Sequence, residues 1–235
     1  MAATRQFNSE HGFSLIELLI AIGIFSLVMG AVLTSVQDAT KRYRAQQSEV
    51  SISQSGRQFF DQIVRDLHTA GFPHSRLFSV PCNNFCALPL VAVSNTDVVF
   101  EGDVDGSGNV SVVRYRFVNA SAESLRCPCI ERMQSLKIPA DPFAGQPNGP
   151  YHVLVENVAA NGFAITAFDQ SGNQVALGGG LNSTANFNTL DGTPSTGVPV
   201  IKTVAATLTV QSPNADLASK LRPSASVSTI VELKN

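Results

Sequence analysis

The stretch GFSLIELLIAIGIFSLVMGAVLTSV, residues 12–36, limits what this chain can become more than any other part of it. From Phe13 to Val36 it runs 24 residues with a single charged side chain, Glu17, and the next charge is Asp38. At ~1.5 Å per residue a helix of that length crosses a hydrocarbon layer of ~30 Å. A carboxylate in such a segment costs roughly 2.5–3.5 kcal/mol at the helix centre and less near an end. A simple anchor has no use for that cost, so Glu17 predicts a partner that offsets its burial. Two opposite charges ~4 Å apart attract by ~4 kcal/mol at an effective dielectric of about 20, enough to offset much of it. The rival reading is a lone anchor whose Glu17 reaches up to the membrane interface.

The run is too long for a secretory signal, whose apolar core covers roughly 7–15 residues ahead of a small-residue cleavage site. No such site follows, because Thr34-Ser35-Val36 leads straight into polar sequence. Arg5 precedes the run while Lys41, Arg42 and Arg44 follow it, so a simple positive-inside count argues against a cytoplasmic amino terminus. With 235 residues the chain suits one globular domain plus an anchor. Its charged fraction of 14% lies far below the usual ~25%, as a membrane helix joined to a Ser/Thr-rich β region requires. A net charge of −2 leaves no electrostatic footprint for nucleic acid, and Lys41-Arg42-Tyr43-Arg44 reads as a solvated juxtamembrane collar.

Gly12-Phe13-Ser14-Leu15-Ile16-Glu17-Leu18 resembles the processing site of type IV prepilins and the related pseudopilins. The resemblance implies a cytoplasmic leader over residues 1–12, cut by the membrane-embedded prepilin peptidase between Gly12 and Phe13. It further implies N-methylation of Phe13 and a retained helix, 13–36, that sits in the inner membrane and then in the core of a filament. This is the ground for a cytoplasmic amino terminus despite the charge count. Glu17 matches the family's acidic position, whose carboxylate pairs with the amino-terminal charge of a neighbouring subunit. Downstream, GRQFFDQIVRDLHTAGFP (56–73) is similar to the region after the membrane helix in PilW-type minor pilins, and DVDGSGNVSVVRYRF (103–117) and TIVELKN (229–235) fit the same group more loosely.

Past the membrane run, Ala39, Tyr43, Val50, Phe60, Ile63, Val64, Leu67 and Ala70 recur at spacings that share a helical face. This predicts an amphipathic continuation over 37–71, stopped by Gly71 and Pro73. Ser51-Ile-Ser-Gln-Ser-Gly56 is poor helix material and predicts a bend. From residue 72 to 235 the period changes to two. Val113, Tyr115 and Phe117 oppose Arg114 and Arg116, and Val204, Ala206, Leu208 and Val210 alternate with Thr203, Ala205, Thr207 and Thr209. Further strands are expected at 97–101, 152–158, 162–168 and 227–233, with loops over 139–150 and 177–199. The expected fold is α+β and pilin-like: a long N-terminal helix packed on an antiparallel β-sheet domain outside the cytoplasm.

Four cysteines form two close pairs, Cys82/Cys86 and Cys127/Cys129. Outside the inner membrane disulfides are the default, and cross-links between the pairs are favoured because Cys127–Cys129 closes a very small ring. The rival is a four-thiolate zinc site. Asp103, Asp105 and Asn109 supply oxygens for Ca²⁺, but the glycine spacing departs from the EF-hand and Arg114 stands where its final Glu belongs. The competing reading is a hairpin turn. No P-loop, G-x-S-x-G or H-E-x-x-H motif is present, so no catalytic residue and no cofactor is expected.

Three functions fit these residues. The first is a minor pilin that joins a type IV pilus or its priming complex, with other pilins and a tip adhesin as partners. The second is a minor pseudopilin of a type II secretion system. The third is a membrane-anchored extracytoplasmic enzyme or binding module.

Overall fold

The computed structural model describes residues 14–73, 87–138, 149–177, 181–182, 200–213, 215 and 222–233. Its compact units are Met1–Gln47 and Ser48–Asn235. One helix, α1 (Leu15–Thr69), runs through the boundary between them. It is unbroken across Ser51–Gly56, where the sequence predicts a bend. Packing overrides the weak propensity there: Ile52 and Gly56 are buried, and Gly56 brings α1 so close to Val227 that an added Cβ would lie 3.4 Å from its side chain. The stop is as expected. Gly71 has φ +80°, and its N–H donates to the Glu101 carbonyl at 2.8 Å.

The Ser48–Asn235 unit holds two antiparallel sheets. The first follows the order β5 (Tyr151–Val155), β4 (Cys129–Leu136), β3 (Ser111–Val118), β2 (Asp97–Gly102), β1 (Ala92–Val93) and β8 (Leu181–Asn182). The second follows β10 (Ser224–Glu232), β9 (Ile201–Gln211), β6 (Val158–Asp169) and β7 (Gln174–Val175). Together with the long apolar helix this is an α+β, pilin-like layout. The expected strand over 152–158 is in fact two strands in different sheets. Asn157 takes φ +55°, and its N–H and C=O bond to Arg126 and Gln211, which turns the chain from β5 into β6.

The C-terminal part of α1 and the inward faces of both sheets form one apolar core. Phe59 is buried within it. Its ring meets Tyr115 of β3 and Phe163 of β6 edge-on, each at 5.9 Å between centroids, so one residue joins α1 to both sheets. The helical stripe is shorter than its apolar spacing predicts. Ala39, Tyr43 and Val50 are exposed, and burial begins at Ile52.

Two of the cysteines overturn an expectation. Cys127 and Cys129 are bonded to each other, not to the other pair. The chain turns at Pro128 and brings their Cα atoms to 4.5 Å, inside the range a disulfide spans. Two of the four thiolates needed for the zinc alternative are therefore consumed. Cys82 and Cys86 lie outside the described residues.

Candidate functional site

The start of α1 gathers the features that the sequence singles out. Gly12 and Phe13 precede the described residues. Ser14 opens the helix and Glu17 sits in its first turn, where a negative charge complements the helix dipole. The Ser14 N–H donates to Glu17 Oε2 at 3.2 Å, one half of a Ser-x-x-Glu capping box. The sequence reading missed this second use of Glu17, although the Ser14-x-x-Glu17 spacing announces it.

From Leu15 to Val36 every side chain is exposed, including Leu15, Leu18, Leu19, Phe25, Leu27 and Leu33. The helix contains a window of mean hydropathy 2.5, long and apolar enough to cross a membrane. The hydroxyl groups in and just after this apolar stretch are satisfied within the helix. Ser26 donates to the Ile22 carbonyl at 2.8 Å, Ser35 to Ala31 at 3.0 Å and Thr40 to Val36 at 2.7 Å. Such bonds let polar residues enter lipid without an orphan donor.

Residues 7–33 match the family model described as the prokaryotic N-terminal methylation motif. No curated protein and no solved structure matches the chain. The motif, with one apolar helix following it, supports a type IV pilin-like protein, pilin or pseudopilin, anchored in the inner membrane. Its implied partners are a prepilin peptidase and other pilins.

The second candidate site is the loop between β2 and β3, where the expected hairpin turn is found. Its acidic side chains are tied to its own backbone. Gly108 N–H donates to Asp103 Oδ2 at 2.9 Å and Ser107 N–H to Asp105 Oδ1 at 3.0 Å, while Asn109 bonds to the Ser107 hydroxyl. Hydrogen bonds from Ser107 hold the Asp105 carboxyl below its usual pKa. Gly106 and Gly108 supply the left-handed conformations, at φ +69° and +80°. Asp103 Oδ1 is buried without a hydrogen-bond partner among the described residues. Asp103, Asp105 and Asn109 are thus brought together in one turn, whose hydrogen bonds use Asp103 Oδ2, Asp105 Oδ1 and the Asn109 amide groups.

Two buried polar clusters escaped the sequence reading. Asp66, on the buried face of α1, accepts the Tyr115 hydroxyl at 2.6 Å and Arg132 Nε at 2.8 Å. Burial, with the Asp66 charge beside it, raises the Tyr115 pKa and keeps its proton in place to donate. Burial works against the Arg132 charge, but Asp66 and Tyr115 outweigh it and the guanidinium pKa rises. Farther along the sheet, Lys137 Nζ lies 2.7 Å from Glu101 Oε2, with both side chains almost wholly enclosed. Burial raises the Glu101 pKa above its ordinary value, against the opposing pull of Lys137. An acid at position 66 within an apolar stripe was a legible signal. Glu101 and Lys137, 36 residues apart, carry none.

Proposed function

We propose that this chain is a PilW-like minor pilin, cut after Gly12 and methylated on Phe13, that enters a type IV pilus or its priming complex through its N-terminal helix. In this reading residues 1–12 are the leader, 13–36 the membrane and filament-core helix, and 37–71 its continuation. Residues 72–235 are the extracytoplasmic domain, which meets other minor pilins or a tip adhesin. The role is structural and needs no enzyme activity and no cofactor.

The observation that carries the proposal is the methylation-motif match over residues 7–33, which takes in Glu17, the one charged residue of the apolar run 13–36. Within a bundle of such helices an unpaired carboxylate is expensive, and a free amino terminus on a neighbouring Phe13 is the charge best placed to offset it. The similarity of residues 56–73 to the PilW group favours a pilus over a secretion pseudopilus. Purified pili probed for this subunit test the role. Wild type is expected in the filaments, and Glu17→Val is expected to be processed yet largely missing from them. Normal recruitment of Glu17→Val would contradict the pairing, and absence of the wild-type chain from pili would contradict the pilus assignment.

A further inference from the structure

The outer edge of β10 is unassigned by anything above. β10 pairs with β9 on one side only, in a register from Ser224↔Gln211 to Glu232↔Thr203. Leu233 N–H donates to the Lys202 carbonyl at 2.8 Å and Ser212 N–H to the Pro223 carbonyl at 2.7 Å, so both ends of this ladder fall on odd-numbered residues. Bonded and non-bonded pairs alternate along an antiparallel ladder. The odd residues of β10 therefore direct their main-chain groups at β9. Ser224, Ser226, Ser228, Ile230 and Glu232 direct theirs outward, to an edge that no described strand occupies.

Beside this part of β10 lies a groove of about 560 Å³ between α1 and the strand, reaching from Arg57 to Arg65 on the helix and from Val227 to Thr229 on β10. Phe60, Val64 and Val227 supply its apolar wall. Its rim is charged: Arg57, Asp61 and Arg65 are exposed, and none makes an ion pair with a described residue. They stand four residues apart, ~6 Å along the helix. Side chains on one face of a strand recur every ~6.6 Å, nearly in step with that rim.

We propose that the β10 edge and this groove take an extended segment of a partner protein by strand addition. The segment carries acid, base and acid at alternate positions, opposite Arg57, Asp61 and Arg65, and its aliphatic stems cover Phe60 and Val64. The rim also argues against a second copy of this chain. Its charge order is the same read in either direction, so a two-fold copy centred on Asp61 sets Arg57 against Arg65 and Asp61 against itself. The inference uses only residues of the Ser48–Asn235 unit and stands or falls apart from N-terminal processing.

The test is amide hydrogen exchange on the full chain in detergent micelles, with the synthetic peptide Thr-Glu-Thr-Lys-Thr-Glu-Thr and its charge-inverted counterpart Thr-Lys-Thr-Glu-Thr-Lys-Thr. The first peptide is expected to slow exchange at Ser226, Ser228 and Ile230 by on the order of tenfold, and the second to leave it unchanged. Thr229, whose N–H already faces β9, moves little in either case. The double variant Arg57→Glu, Arg65→Glu changes only exposed helix positions and is expected to lose its response to the first peptide. No slowing with the first peptide, or equal slowing with both, overturns the proposal. So does slowing that appears without peptide as protein concentration rises, which would assign the edge to a second copy.

Discussion

Glu17 has two uses that make different demands on its side chain. The capping bond from the Ser14 N–H needs only an oxygen, whereas pairing with a neighbouring amino terminus needs a charge. Glu17→Gln separates them, because it keeps the oxygen and loses the charge. Recruitment into filaments is predicted to fall as far for Glu17→Gln as for Glu17→Val, and wild-type recruitment would make the cap its whole role. Asp66 is predicted to matter for stability. Asp66→Ala leaves the Arg132 guanidinium buried without its carboxylate, a loss of about 3–5 kcal/mol. Urea denaturation checks it, with exposed Asp61→Ala expected to stay within ~0.5 kcal/mol of wild type. Glu101 carries a pH signature. Its folded pKa is raised, so its contribution is fully present below the unfolded value near 4.5 and is lost as pH rises through the folded value. Measured against Glu101→Gln, wild type is predicted to gain relative stability as pH is lowered through that window. A difference independent of pH would contradict the assignment.

Among the elements, α1 and β2 come into close backbone approach at Gly102. A Cβ on Gly102 would lie 2.5 Å from the Thr69 carbonyl oxygen, backbone that cannot swing aside. Gly102→Ala is predicted to cost ~1–3 kcal/mol, read from the same urea curves. The elements legible in the sequence are those whose side chains sort cleanly by face. β3 separates Val113 and Tyr115 from Arg114 and Arg116, and β9 separates Val204, Ala206 and Leu208 from its threonines. β4 was not legible, because it carries a charge on each face. Arg132 turns inward to Asp66, while Glu131 meets Arg116 at 2.8 Å on the opposite face. Those partners lie far off in sequence, so local alternation holds no trace of them. The unbroken helix through Ser51–Gly56 was hidden for a related reason, since its support comes from β10, some 170 residues downstream.

For the whole molecule, the sequence disclosed the candidate site better than the domain that follows it. Gly12, Phe13 and Glu17 are neighbours in the chain, and the apolar helix needs only its own hydrogen bonds, so local sequence suffices. The split of the β region into two sheets depends on the turn at Asn157, and the Cys127–Cys129 bond on the turn at Pro128. Neither follows from composition or period. The central claim is that the apolar helix is retained and begins at a new amino terminus able to neutralise Glu17. Mass spectrometry of the N-terminal peptide from the native protein tests it most directly. The account predicts a first residue of N-methylated Phe13; a chain that still begins at Met1, or one cut beyond Val36, would contradict it.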